Sequence, residues 1–155
     1  MNQEAEANRF AIELLAPPNR VRRYLRGVPD LDMVLELAKD FDLSREATAR
    51  RYVELHDRPS AVIFARAGKV RYSVVHREFP GLNCRPEQNL PAVPVPSSPD
   101  HASGHEDADP RDWLRSPKRE SLAVQTLSQS GGYAMALLVL DDGEGDQDGD
   151  EGEDV

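Results

Sequence analysis

Apolar residues recur at Ala7, Phe10, Ala11 and Leu14, the i, i+3, i+4, i+7 spacing of one helix face, and Pro17 and Pro18 end the run. A helix is predicted over residues 2–15. It starts with no capping side chain and with nothing before it to cover its apolar stripe, so it is expected to belong to a larger unit. A short helix over Asn19–Arg26, stopped by Gly27, comes next. Asp30 is placed to cap a helix in which Leu31, Val34, Leu37, Ala38 and Phe41 share a face. Ser44 is placed to cap another, running to about Leu55, with Thr48, Tyr52 and Leu55 inward. These two helices, joined by Asp42-Leu43, have the form of a helix-turn-helix.

Beyond Pro59 the period changes from 3.6 to 2. Val62 and Phe64 alternate against Ile63 and Ala65, Ala67-Gly68-Lys69 makes a turn, and Val70, Tyr72 and Val74 return, which predicts a hairpin. Leu122–Leu127 and Tyr133–Leu140, separated by Ser130-Gly131-Gly132, predict a second hairpin. The run Ala134–Leu140 is apolar at every position, as suits a central strand covered on both faces. Between the hairpins, Pro80–Pro110 holds seven of the twelve prolines among Ser, Asn, Asp and His. It is expected to be a mobile insertion, too polar and too interrupted for packed structure. Beyond Asp142 nothing apolar remains to bury, and the segment is expected to be a disordered acidic tail.

The net charge of −9 is concentrated at one end. Nine of the 28 acidic residues lie in Asp141–Val155, leaving 19 acids against 19 Lys and Arg elsewhere. A neutral body lacks the excess of cations that general attraction to a phosphate backbone needs, and direct DNA binding is not expected. The basic exception is local: Arg20, Arg22, Arg23 and Arg26, for which the tail carboxylates can compete. Arg45, Arg50 and Arg51 could meet phosphates from the helix after Ser44, but Glu46, Glu54 and Asp57 offset them. The longest apolar run has seven residues, against roughly 20 for a bilayer crossing, so no membrane span is expected. The acidic N-terminus does not have the pattern of a signal peptide, and a cytoplasmic location is expected. Cys84, the one cysteine, lies near Pro80, Asn83 and Pro86 and is expected in an exposed loop.

Glu4 and Asn8 are one turn apart on the first helix, where a carboxylate could ligate a metal and an amide could hold a neighbouring ligand by a hydrogen bond. Their surroundings, Glu4-Ala5-Glu6-Ala7-Asn8-Arg9-Phe10-Ala11 and then Leu14-Leu15-Ala16-Pro17, resemble the E-x-E-A-N-x-F-A-x-x-L-L-x-P segment of the ImmA/IrrE family of zinc metallo-endopeptidases. The resemblance implies that Glu4 occupies the third zinc-ligand position and Asn8 a supporting one, on the helix that follows the HExxH helix. Leu43, Ser44, Ala47 and Arg50, then Phe79-Pro80, Trp113 and Gly132 before an apolar strand, are similar to that family's later, GAF-like part. Members cleave helix-turn-helix repressors, so such a repressor is the implied substrate or partner, and zinc is the implied cofactor of a complete member.

The chain itself contains no HExxH, which supplies two imidazoles and the general base in such sites. Its histidines are His56, His76, His101 and His105. His105-Glu106 starts like the motif, but Asp109 stands at the fourth position after His105, in a loop-forming segment. No metal is therefore expected on this chain alone. Asp146, Asp148 and Asp150 imitate the start of a calcium loop, yet Glu151 stands where that loop needs Gly.

The expected architecture is α+β. Residues 1–17 would be a remnant peptidase helix and 18–57 a small helix-turn-helix-like subdomain. Residues 58–142 would form a β-rich GAF-like domain with a flexible loop at 80–112, and 143–155 the acidic tail. The expected function is that of the C-terminal portion of an ImmA/IrrE-type metallo-endopeptidase, inactive by itself. The alternative is a non-catalytic transcription regulator that binds a repressor or DNA through its helical subdomain.

Overall fold

A computed structural model describes residues 18–99, 101–118 and 121–141. The predicted helix over residues 2–15, with Glu4 and Asn8, and the acidic segment after Asp141 lie outside the described residues. Helix α1 (Pro18–Val21) passes directly into a 3₁₀ turn (Arg22–Leu25), so the single short helix predicted here is split. The buried residues are Val21 and Tyr24, three apart, a spacing that matches the three residues per turn of a 3₁₀ helix. Helix α2 (Leu31–Asp40) is capped by the Asp30 carboxylate, which accepts from the Asp32 N–H at 2.9 Å. Helix α3 (Arg45–Leu55) is capped by Ser44 Oγ, which accepts from Ala47 N–H at 3.2 Å. Its buried face is Thr48, Ala49, Tyr52 and Val53, while Leu55, expected inward, is only partly buried in the last turn.

Five antiparallel strands form one sheet: β1 (Ser60–Arg66), β2 (Lys69–Val75), β3 (Glu106–Ala108), β4 (Ser121–Ser128) and β5 (Tyr133–Asp141), in the spatial order β2-β1-β5-β4-β3. Together with the helices this is a mixed α+β architecture. β5 is the middle strand, and Met135–Val139 are buried without interruption because both faces are covered. Arg66 pairs with Lys69 across Ala67 and Gly68, whose φ values of +52° and +78° give the doubly left-handed turn that matches strand twist. An extra residue in β2 shifts the register between Phe64 and Ala65, so Val70 faces one side of the sheet while Tyr72 and Val74 face the other.

The period-2 pattern divides the core. On the first face Val62, Phe64, Leu127, Met135, Leu137 and Val139 pack with Tyr24, Leu31, Val34, Leu37, Tyr52 and Val53 of the helical segment. Helices and strands share this one cluster, and the boundary expected at residues 57/58 runs through it. On the second face lie Ala61, Ile63, Val70, Leu122, Val124, Ala136 and Leu138.

The second face is covered in part by the segment expected to be free of packed structure. Leu82 of that segment is buried there, with Leu90 and Val93 against the cluster, together with Phe79, Trp113 and Leu114, which flank it. Proline interrupts helices and strands, but apolar residues spaced among the prolines can still cover a sheet. The backbone finds partners outside regular elements: Asn83 N–H donates to the Trp113 carbonyl at 2.7 Å, Arg115 N–H to that of Gly81 at 2.8 Å, and Val70 N–H to that of Gln88 at 2.8 Å. This segment also contains β3 and the short helix α4 (Pro110–Trp113), neither of which was expected. Cys84, expected in an exposed loop, is partly buried against the same cluster.

Gln125 joins the layers from inside β4. Its Oε1 accepts from the Leu31 N–H at 2.7 Å, and its Nε2 donates to Asp30 Oδ1 at 2.9 Å and to the Ser103 carbonyl at 3.0 Å. Ser103 N–H donates to the Thr126 carbonyl at 2.8 Å, its Oγ accepts from Thr126 N–H at 2.9 Å, and the Thr126 hydroxyl donates to the Pro94 carbonyl at 2.6 Å. Gln125→Leu keeps the volume but leaves the buried Leu31 N–H without an acceptor, so a loss on the order of 2–3 kcal/mol is expected in urea unfolding. A loss below about 0.5 kcal/mol would show that water replaces the carboxamide.

Candidate functional site

The four arginines of the basic stretch separate into two pairs. Arg20 lies 6.0 Å from the Phe41 ring, and Arg23 lies 4.7 Å from the Tyr24 ring, donating to the Tyr24 hydroxyl, which donates in turn to Asp40 Oδ2. Arg22 and Arg26 instead line a cleft of about 650 Å³ together with Leu25, Gly27, Leu55, His56, Asp57 and Arg58. Three guanidinium groups against the single carboxylate of Asp57 make this cleft cationic, suited to anions.

His56 forms the junction between this cleft and a second one, of about 460 Å³, that also includes Glu54, His76 and Glu78. The His56 ring is 2% exposed and packs edge-on against Tyr52, with centroids 5.2 Å apart. Its Nδ1 accepts from Arg58 N–H at 3.0 Å, which puts the neutral ring's proton on Nε2, a buried atom with no hydrogen-bond partner among the described residues. His76 is buried in a similar way, with Nδ1 accepting from Glu78 N–H at 3.1 Å. Burial pushes the His56 imidazole below the ordinary 6.5. The Asp57 carboxylate opposes that shift, and Arg58 and His76 reinforce it. The Tyr52 hydroxyl accepts from Asp30 N–H at 3.0 Å and is pushed up to about 12, chiefly by burial.

Among the described residues no group of three or more His, Cys, Asp or Glu could hold a metal ion. Both buried histidines have one ring nitrogen committed to a local backbone N–H. His101 and His105 do not share a helix face, since residues 101–105 form no helix, and His105 Nε2 lies 2.9 Å from the Pro29 carbonyl. Glu4 and Asn8, and Asp146, Asp148 and Asp150, lie outside the described residues. Burial raises the Cys84 thiol, which disfavours the thiolate a nucleophile requires.

The arginines weighed as phosphate contacts on α3 are engaged within the fold. Arg45 donates to the Pro99 carbonyl at 2.6 Å, Arg50 lies 5.8 Å from the Tyr72 ring, and Arg51 pairs with Glu54 at 3.9 Å. Glu46 accepts from the Tyr72 hydroxyl and from Arg71 at 3.0 Å. Sequence reasoning passed over Gln125, Arg58 and the burial of His56. The first had a visible signal, a carboxamide flanked by Leu122, Ala123 and Val124 inside a strand-forming run. The other two depend on how α3 meets β1.

No protein-family profile matches this chain, and no curated protein sequence matches it. Among the described residues no helix is long and apolar enough to cross a membrane.

A histidine held neutral by burial binds protons better when the chain is unfolded. Its contribution is therefore complete above the ordinary value of 6.5 and declines as pH falls through it. Thermal melts between about pH 7.5 and pH 5.5 are expected to show a falling melting temperature, and His56→Phe is expected to flatten that decline. An equally steep decline in His56→Phe would assign it to other groups.

Proposed function

We propose that this chain is the C-terminal portion of an ImmA/IrrE-type zinc metallo-endopeptidase whose substrate is a helix-turn-helix repressor. The observation that carries the reading is the order of its parts. The Glu4-to-Pro17 string is followed by a helical section and then by a five-stranded antiparallel sheet, helices on one face. That sheet, with Trp113 buried beneath a long connection, supports a GAF-like regulatory module. In this reading Glu4 supplies one zinc ligand, Asn8 orients a neighbouring one, and the two imidazoles and the general base come from an HExxH helix outside these 155 residues. The engagement of Arg45, Arg50 and Arg51 within the fold supports a regulatory rather than a duplex-reading role for α3.

Placing an HExxH helix in frame before residue 1 is expected to yield zinc-dependent cleavage of a helix-turn-helix repressor, abolished by Glu4→Ala. Full activity of the Glu4→Ala form would remove Glu4 from the ligand set. The 155-residue chain alone is expected to bind Zn²⁺ in calorimetry no better than its Glu4→Ala variant, because one carboxylate without imidazoles is a poor site. Tight binding lost on that substitution would mean that the site is complete without HExxH.

A further inference from the structure

The cationic cleft is lined by hydrogen-bond donors. Arg22, on the 3₁₀ turn, and Arg26, at its C-terminal cap, stand four residues apart, both exposed and without an ion pair among the described residues. Arg58 adds positive charge to the lining but already has a partner of its own, so the guanidinium groups offered to a ligand are those of Arg22 and Arg26. His56, 2% exposed, lines the same cleft, and its Nε2–H is a buried donor with no acceptor among the described residues. Buried donors in folded proteins nearly always have one. Asp57 is the one carboxylate of the lining, and a Cβ added at Gly27 would meet nothing within 4 Å, which leaves room between the walls. We propose that the cleft binds a small phosphate monoester, its phosphoryl oxygens accepting from Arg22 and Arg26, with the His56 Nε2–H donating to the same group directly or through a water that it carries.

Two guanidinium groups one turn apart suit a phosphoryl group, whose several oxygens take forked N–H donors, better than a single carboxylate. A metal ion or an ammonium group accepts no hydrogen bond from His56 and is repelled by the arginines. The volume of about 650 Å³ lies in the range of about 300–1,000 Å³ of small-molecule sites and is more than a bare phosphate ion fills. Leu25 and Leu55, both partly buried, give the organic part of an ester an apolar surface to lie on. None of these residues carries the peptidase reading, so the two stand or fall separately.

The test titrates the full chain with naphthyl phosphate, inorganic phosphate and naphthol at about pH 7.5, where the His56 ring is neutral. Calorimetry is expected to show saturable binding of naphthyl phosphate, about tenfold weaker for each of Arg22→Gln and Arg26→Gln and unchanged by Lys39→Gln, an exposed cation outside the cleft. Both arginines are exposed, so melting temperatures of the variants are expected to match that of the parent chain. In an imidazole proton–nitrogen correlation spectrum the His56 Nε2 resonance is expected to move on titration while that of His76 stays in place. Undiminished binding when both arginines are replaced, an equal loss in Lys39→Gln, or a stationary His56 resonance would each overturn the proposal. So would absence of saturable binding, or naphthol binding as tightly as its phosphate. Inorganic phosphate binding as tightly as the ester would overturn the monoester assignment and leave a site for the ion alone.

Discussion

A carboxamide inside a sheet costs free energy unless its polar atoms are satisfied, and Gln125 meets that condition only through partners from different layers. One comes from the start of α2 and one from the connection that carries Ser103. The Leu31 N–H is one of the donors a helix start leaves without an intrahelical partner, so the bond that satisfies Gln125 also closes the end of α2. Asp30 links the two roles. Its carboxylate caps α2 and accepts from Gln125, while its own N–H donates to the Tyr52 hydroxyl of α3. Shifting β4 by one residue would turn this amide to the other face and break the set, so the polar cluster fixes a register that apolar packing alone leaves looser.

A second constraint is the unequal treatment of the two sheet faces. The first is covered by helices whose 3.6-residue period presents a continuous stripe. The second is covered by an irregular segment whose apolar side chains are spaced among prolines, and its backbone groups must find partners individually. Residues 87–90 bond to Gly68 and Val70, which covers the start of the β2 edge against pairing with another chain. The opposite edge is β3, only three residues long.

Much of the fold was legible in the residues because local chemistry agreed with the final packing. Asp30 and Ser44 cap helices where the sequence put them, and the Ala67-Gly68 turn and the central apolar strand follow from φ preference and from double burial. The covering segment was not legible, because composition measures how polar a stretch is on average and not whether Leu82, Leu90 and Val93 reach one surface. The cleft was legible only as a run of arginines. Whether Arg20 and Arg23 would turn to aromatic rings while Arg22 and Arg26 turned to Arg58 depends on the change from α to 3₁₀ geometry at Arg22.

The burial of α3 limits what that helix can do. A recognition helix has to present a basic side to the major groove while its opposite side stays in the core. On α3 the inner side is Ala49, Tyr52 and Val53, and the most open residue of the helix, Glu54, has a side chain only 40% exposed. Turning the arginines outward would break Arg45 from the Pro99 carbonyl and lift Arg50 from Tyr72. Lifting the helix away would re-expose side chains such as Val53, at roughly 1.5–3 kcal/mol for each fully buried one, against a total stability of about 5–15 kcal/mol for a typical domain. Its last turn, at Leu55, and its C-terminal cap, His56, line the basic cleft.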